Sequence, residues 1–302
     1  MDLNYKNVLT IIVRNIRFII FFVSIFALGS ISYSLSLPNI YKSSALLKLN
    51  DIHGSNQSTL PSSLGSVASL AGINISGSSQ SKLSEGIEVL KSRDFLFQFF
   101  QDQNIKPYIF AVSKVNKKTG EVIFNDNIYD QDEEKWMLSS SLIEPSMLEL
   151  YGKFLDENLI IDQDEVTSFV TISIKYVSPK VSQLWADSLI RSLNAKMRAK
   201  DKNTATQSVE FLLSEYEKTN IIDLKKILSN LIENEISKIS LANSNPEYLF
   251  TVIDKPFLPE KKDGPARALI CFLVTFLGGL IALLVVLFKE LLFDKVTIYP
   301  KK

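Results

Sequence analysis

The chain has 302 residues, and its 33 Lys+Arg balance its 33 Asp+Glu, giving no formal net charge. That balance argues against a nucleic-acid binder, which would carry a basic surplus. A single cysteine, Cys271, and a single histidine, His53, allow no disulfide within the chain and almost exclude a Cys/His metal site.

The first predicted element is a membrane span at 18–37, a run of twenty residues without a charge, preceded by Arg14 and Arg17. About 20 apolar residues are needed to cross the hydrocarbon core, because no water there satisfies the backbone. A cleaved signal peptide has a shorter apolar region and a small-residue cleavage site, and this run ends instead in Leu35-Ser36-Leu37-Pro38. Tyr41 to Leu49 alternates partly and reads as a strand. The Ser/Gly/Asn-rich stretch from Gly54 to Ser81 reads as loop, yet it holds an apolar inset with Leu64, Leu70 and Ile73, the mark of a contact surface. Lys82 to Gln103 has helical spacing, with Ser92 or Asp94 able to start a second helix.

Asn104 to Tyr129 reads as β-rich, with a turn at Lys118-Thr119-Gly120. A short helix is expected over Pro145 to Glu157. Phe169 to Val177 gives the clearest strand, with Val170, Ile172 and Ile174 on one face. Ser178-Pro179 then starts a helix, Pro being favoured at the first helical position. No Pro or Gly interrupts the chain from Val181 to Asn245, so the spacing predicts a long helical arm over about 181–242. Thr219-Asn220 is a weak spot where it can bend. So long a helix cannot bury its apolar stripe within a domain of this size, which favours an arm packed on a neighbouring subunit. Leu249 to Ile253 is a further strand. A connector at 254–265 follows, stiffened by Pro256, Pro259 and Pro265. A second span is predicted at 268–288.

Two spans place both termini on one side. Lys6, Arg14 and Arg17 in the short leader, and Lys289, Lys295, Lys301 and Lys302 in the tail, put that side in the cytoplasm. The predicted organisation is therefore a cytoplasmic N-terminus at 1–17, a span at 18–37, an extracytoplasmic domain at 38–267, a span at 268–288 and a cytoplasmic tail at 289–302.

Chemistry-bearing motifs are sparse. There is no G-x-x-x-x-G-K-[ST] phosphate loop. His53 falls in the Ser-rich loop and Cys271 in a span, so neither completes a nucleophile–base pair. The acidic patch Asp126, Asp130, Asp132, Glu133 and Glu134 lacks the central Gly and the closing Glu of a calcium loop and reads as solvated. No Asp, Glu, Lys, Arg or His lies in either span, which argues against a transporter. Gly278, Gly279 and Ala282 put small residues on one face of the second span, where another helix can approach closely.

Taken together, these segments resemble the chain-length determinant proteins, also called polysaccharide co-polymerases, of bacterial inner membranes. The likeness covers essentially the whole chain and is strongest for regulators of O-antigen length. It rests on the terminal spans, the loop from Leu64 to Ile73, and Ile87-Glu-Val-Leu-Lys-Ser-Arg-Asp-Phe95. It continues through Tyr129 to Trp136, Pro145 to Tyr151, and Val170 to Pro179 with Trp185 and Asn194. The proline connector is its most specific part, although Lys261-Lys262 stand where family members often have a further proline. The resemblance implies an α+β membrane protein: two transmembrane helices flanking a periplasmic α/β base domain with a long extended helical arm. It also implies a ring- or bell-shaped homo-oligomer in contact with membrane lipid, and no catalysis, cofactor or metal. The implied partners are an O-antigen polymerase, with Gly278 and Ala282 as its expected contact, and the lipid-linked glycan. Some relatives carry a tyrosine kinase, and none is expected fused here. The alternative is a capsule or exopolysaccharide export protein working with a transporter. A two-span receptor is a third class, but it would need a cytoplasmic output module.

Overall fold

A computed structural model describes residues 13–53, 79–116, 119–137 and 144–293. The chain divides into two compact units: residues 1–40 with 262–302, and residues 41–261.

In the first unit, helix α1 (Ile16–Ser36) packs against helix α8 (Arg267–Phe293). Both are long and apolar enough to cross a membrane. Their large apolar side chains are mostly exposed, including Phe21, Leu28, Phe272 and Phe276. Lipid satisfies such a surface where water does not.

The second unit is built on a four-stranded sheet of order β6-β7-β1-β8. Its strands are β1 (Tyr41–Leu49), β6 (Leu159–Gln163), β7 (Val170–Tyr176) and β8 (Phe250–Asp254), and every pairing is antiparallel. In β7 the alternation read from sequence holds: Val170, Ile172 and Ile174 are fully buried. The register sets them opposite Leu47, Ala45 and Ser43 of β1. On the other face Ser44 and Ser173 share a hydrogen bond of 2.9 Å.

Helices α2 (Ser79–Lys91) and α3 (Arg93–Asp102) meet at Ser92, whose hydroxyl accepts the Phe95 amide at 3.3 Å. That bond caps one of the free N–H groups at the helix start. The stretch expected to be β-rich opens differently, with a short helix α4 (Ile105–Phe110). Pro107 lies in its first turn, where its missing N–H costs nothing. Two small hairpins follow, β2 (Val112–Val115) with β3 (Val122–Phe124), and β4 (Tyr129–Asp130) with β5 (Lys135–Trp136). Gly120 turns the first with φ +71, a conformation other residues rarely adopt. In the acidic patch, the Asp130 carboxylate accepts the amides of Asp132 and Glu133 at 2.9 and 3.1 Å and so shapes the second turn. Helix α5 (Met147–Lys153) is capped by Ser146. It runs through one wider turn into β6, a strand that sequence reading did not predict.

The arm differs from the expected single rod. It is two helices, α6 (Pro179–Lys218) and α7 (Ile222–Ser244), packed together as an antiparallel hairpin. The chain reverses at Thr219, whose extended backbone (φ −90, ψ 142) ends α6, and the Thr219 hydroxyl accepts the Ile221 amide at 3.4 Å. Thr219-Asn220 is thus a full reversal rather than a bend. At 1.5 Å per residue α6 is about 60 Å long, and its two halves differ. Trp185, Leu189, Leu193 and Met197 are buried on the sheet, whereas beyond Met197 only Ala205 is buried. Ser178 anchors its start, accepting the Val181 amide and donating to the Gly120 carbonyl.

Candidate functional site

The features capable of action are the joint that fixes the hairpin, the faces the hairpin leaves open, and the paired apolar helices.

At the root of the hairpin, Asn194 is buried within the core. Its side-chain oxygen accepts the amides of Leu249 and Phe250, both at 2.8 Å, and its nitrogen donates to the Phe250 carbonyl at 3.0 Å. One side chain on α6 thus serves as an extra backbone edge for the chain entering β8. A layer of charge surrounds it. Lys82 on α2 donates to Glu85 at 3.0 Å and to Asp201 on α6 at 2.9 Å. Lys200 meets Glu85 at 2.6 Å, and the Tyr248 hydroxyl donates to Asp201 at 3.0 Å. Burial alone would lower the pKa of Lys82, but its hydrogen bonds to Asp201 and Glu85 prevail and hold the ammonium above the ordinary lysine value. Burial likewise pushes the Glu85 carboxyl up, but the bonds from Lys200 and Lys82 win and hold it below the ordinary glutamate value. Burial, then Asp201, raises the Tyr248 phenol. These groups satisfy one another, so the cluster acts as a joint between α2, α6 and the segment that leads from α7 into β8.

Beyond that joint the hairpin packs on itself through one stripe of α7, including Leu228 and Ala242. A second stripe, Leu224, Ile227 and Leu231, is exposed, as are Phe211 and Leu213 on α6 and Ile221 and Ile222 at the reversal. Three- and four-residue steps put Leu224, Ile227 and Leu231 on one face.

Within the paired helices, Gly278 faces Phe26. A Cβ at 278 would lie 2.6 Å from the Phe26 ring, so only glycine fits without displacing it. Gly279 faces Val23, and Ala282 is fully buried. The small face predicted on the second span is therefore filled by a phenylalanine of the same chain. The ends of the pair are tied as well. The Arg267 guanidinium donates to the Leu37 carbonyl and the Asn39 side chain, both at 3.0 Å, and the Ile40 amide donates to the Gly264 carbonyl at 2.9 Å.

Of the other predicted positions, Pro256 and Pro259 are buried and Pro265 is half-buried. Leu64, Leu70 and Ile73 lie outside the described residues. Sequence reading missed the charged joint, because Lys82 and Asp201 stand 119 residues apart and neither belongs to a local pattern. It also missed Gly86, where a Cβ would come 2.5 Å from a methyl of the buried Leu249.

Residues 2–103 match the family described as "Wzz: Chain length determinant protein". That match covers about a third of the chain. A solved "full-length bacterial polysaccharide co-polymerase" aligns with 99% of this chain and 100% of its own length, at 13% identity and a TM-score of 0.40. A fragment of WzzB, a polysaccharide co-polymerase from Salmonella Typhimurium, aligns with 75% of this chain and 100% of its own length, at 13% identity and a TM-score of 0.30. Among curated proteins the sequence finds no match. Two helices long and apolar enough to cross a membrane thus accompany the family match over residues 2–103.

Proposed function

We propose that the chain is a non-enzymatic regulator of O-antigen chain length in the bacterial inner membrane. Residues 38–267 would lie in the periplasm and both termini in the cytoplasm. The observation that carries the reading is the family match over residues 2–103, which begins ahead of the first apolar helix and ends within the second unit. The exposed stripe Leu224, Ile227 and Leu231 supports assembly, because an apolar helix face left open can pack on the same face of a second copy. In this reading hairpins of several copies pack side by side around a shared axis. The assembly holds the lipid-linked glycan or its polymerase until release overtakes extension. The O-antigen assignment itself rests on the sequence resemblance.

The test is the lipopolysaccharide ladder of the source cell with the gene deleted, restored, and restored as Ile227→Asp with Leu231→Asp. Deletion should erase the preferred length, the restored gene should bring it back, and the double variant should not. An unchanged ladder on deletion would sink the O-antigen reading in favour of capsule or exopolysaccharide export.

A further inference from the structure

Between β8 and α8 the backbone is held against the sheet unit at two successive carbonyls. Gln183 donates to the Pro256 carbonyl at 3.1 Å, and Ser43 donates to the Phe257 carbonyl at 2.8 Å. Pro256 and Pro259 are both buried, and their rings restrict the local backbone. Between these two fixed points Phe257 and Leu258 face outward, 55% and 48% exposed. Ile253 on β8 is exposed to the same degree. Two adjacent large apolar side chains are thus held in the open by a backbone anchored on either side of them.

What covers them is constrained by the chain itself. Arg267 opens α8 nine positions after Leu258. At roughly 3.3–3.6 Å per residue, Leu258 is tethered within about 30 Å of the end of that helix. The exposed charges nearby are balanced: Lys255, Lys261 and Lys262 against Asp254, Glu260 and Asp263. A surface recognised chiefly by charge would not look like this. An apolar phase close to the helix end would be enough.

We propose that Phe257 and Leu258 form a wedge that enters the headgroup–acyl boundary of the bilayer and holds the connector on the lipid surface. Phe and Leu on a surface at that depth gain by burying their apolar bodies out of water. The wedge is hydrophobic, so anionic lipid and salt leave it unchanged, unlike a polybasic contact. The proposal rests on α8 spanning the membrane.

Depth measurement tests it in the full-length chain carrying Cys271→Ser, reconstituted in phosphatidylcholine vesicles. Single spin labels replace Phe257, Leu258, Phe272 in α8 and Val166 in the β6–β7 turn. Accessibility to oxygen and to a water-soluble nickel chelate gives the depth of each. Labels at 257 and 258 should favour oxygen, at a shallower depth than 272, while 166 favours nickel. Adding phosphatidylglycerol or salt should not shift the pattern. Nickel-accessible labels at 257 and 258, with 272 in lipid, overturn the wedge alone. Shielding from both reagents overturns it in favour of a second copy or another protein. An aqueous 272 removes the span and the wedge together. Phe257→Trp provides a check that preserves size and aromaticity: brominated phosphatidylcholine should quench it beyond the level set by Trp136 and Trp185, and quenching at that level counts against the wedge.

Discussion

The two halves of α6 are one uninterrupted helix in opposite environments. From Pro179 to about Asp201 it lies on β1 and β7 with Trp185, Leu189, Leu193 and Met197 enclosed. From Lys202 to Lys218 it has α7 for company, and Phe211 and Leu213 remain open. Helix formation is therefore not what separates the halves. The inner half is stabilised by burial on the sheet, whereas the outer half is braced by α7 and leaves apolar surface for another partner. Stability rests on the inner turns of α6, whereas the proposed assembly would use the open faces of the outer hairpin.

Substitutions can separate these roles. Leu193→Ala in the inner half should have the largest effect. It deletes a buried side chain and leaves a cavity, at a cost of about 2–5 kcal/mol, read as a lowered urea midpoint of the detergent-solubilised chain. Asn194→Ala should follow, at about 1–3 kcal/mol, because the Leu249 and Phe250 amides lose their acceptor. If Asn194→Ala melts like the parent, the joint is not what fixes β8 to α6.

Acid should act more gently at the charged joint. Glu85 is held below its ordinary value, so its contribution is complete above the unfolded glutamate pKa and fades as pH falls through the lowered one. Lys82 is held above its ordinary value, so its contribution survives at neutral pH and is lost only in strong base. Protection factors against hydrogen exchange across the outer hairpin should fall as pH drops below about 4.3, the ordinary glutamate value, while those in β7 stay high. The same acid response in Glu85→Gln would assign it to other groups. The smallest effect on unfolding belongs to the open stripe. Ile227→Ser with Leu231→Ser should stay within about 0.5 kcal/mol of the parent at each site, yet lower the assembled mass seen by native mass spectrometry. A large loss of stability with unchanged mass would erase the distinction between the halves.

How far the sequence was legible follows the same divide. β1, β7 and the Ser178-Pro179 start were readable because alternation and capping are local. The strand β6 was hidden because Leu159-Ile160-Ile161 continues directly from a helical run, and a short apolar stretch has no period of its own. The hairpin reversal was half visible: helical spacing is correct on both sides of Thr219, and only packing of α7 against α6 turns a weak spot into a turn. The joint at Lys82, Glu85, Asp201 and Tyr248 was invisible, because its members converge only once the sheet and hairpin are in place. Gly278 was recognisable as a close-approach residue, whereas the residue that fills the space, Phe26, was not.

That last pairing also bears on how the protein is made. Phe26 leaves the ribosome roughly 250 residues before Gly278, a delay of about 13–50 s at 5–20 residues per second. In the proposed topology the first helix would wait in the bilayer through that interval without its counterpart, while the sheet unit is synthesised and moved across. Closing the notch is therefore among the last steps of biogenesis. A Gly278→Leu chain should insert both helices normally and fail only at this step, leaving two anchors that wander apart in the lipid.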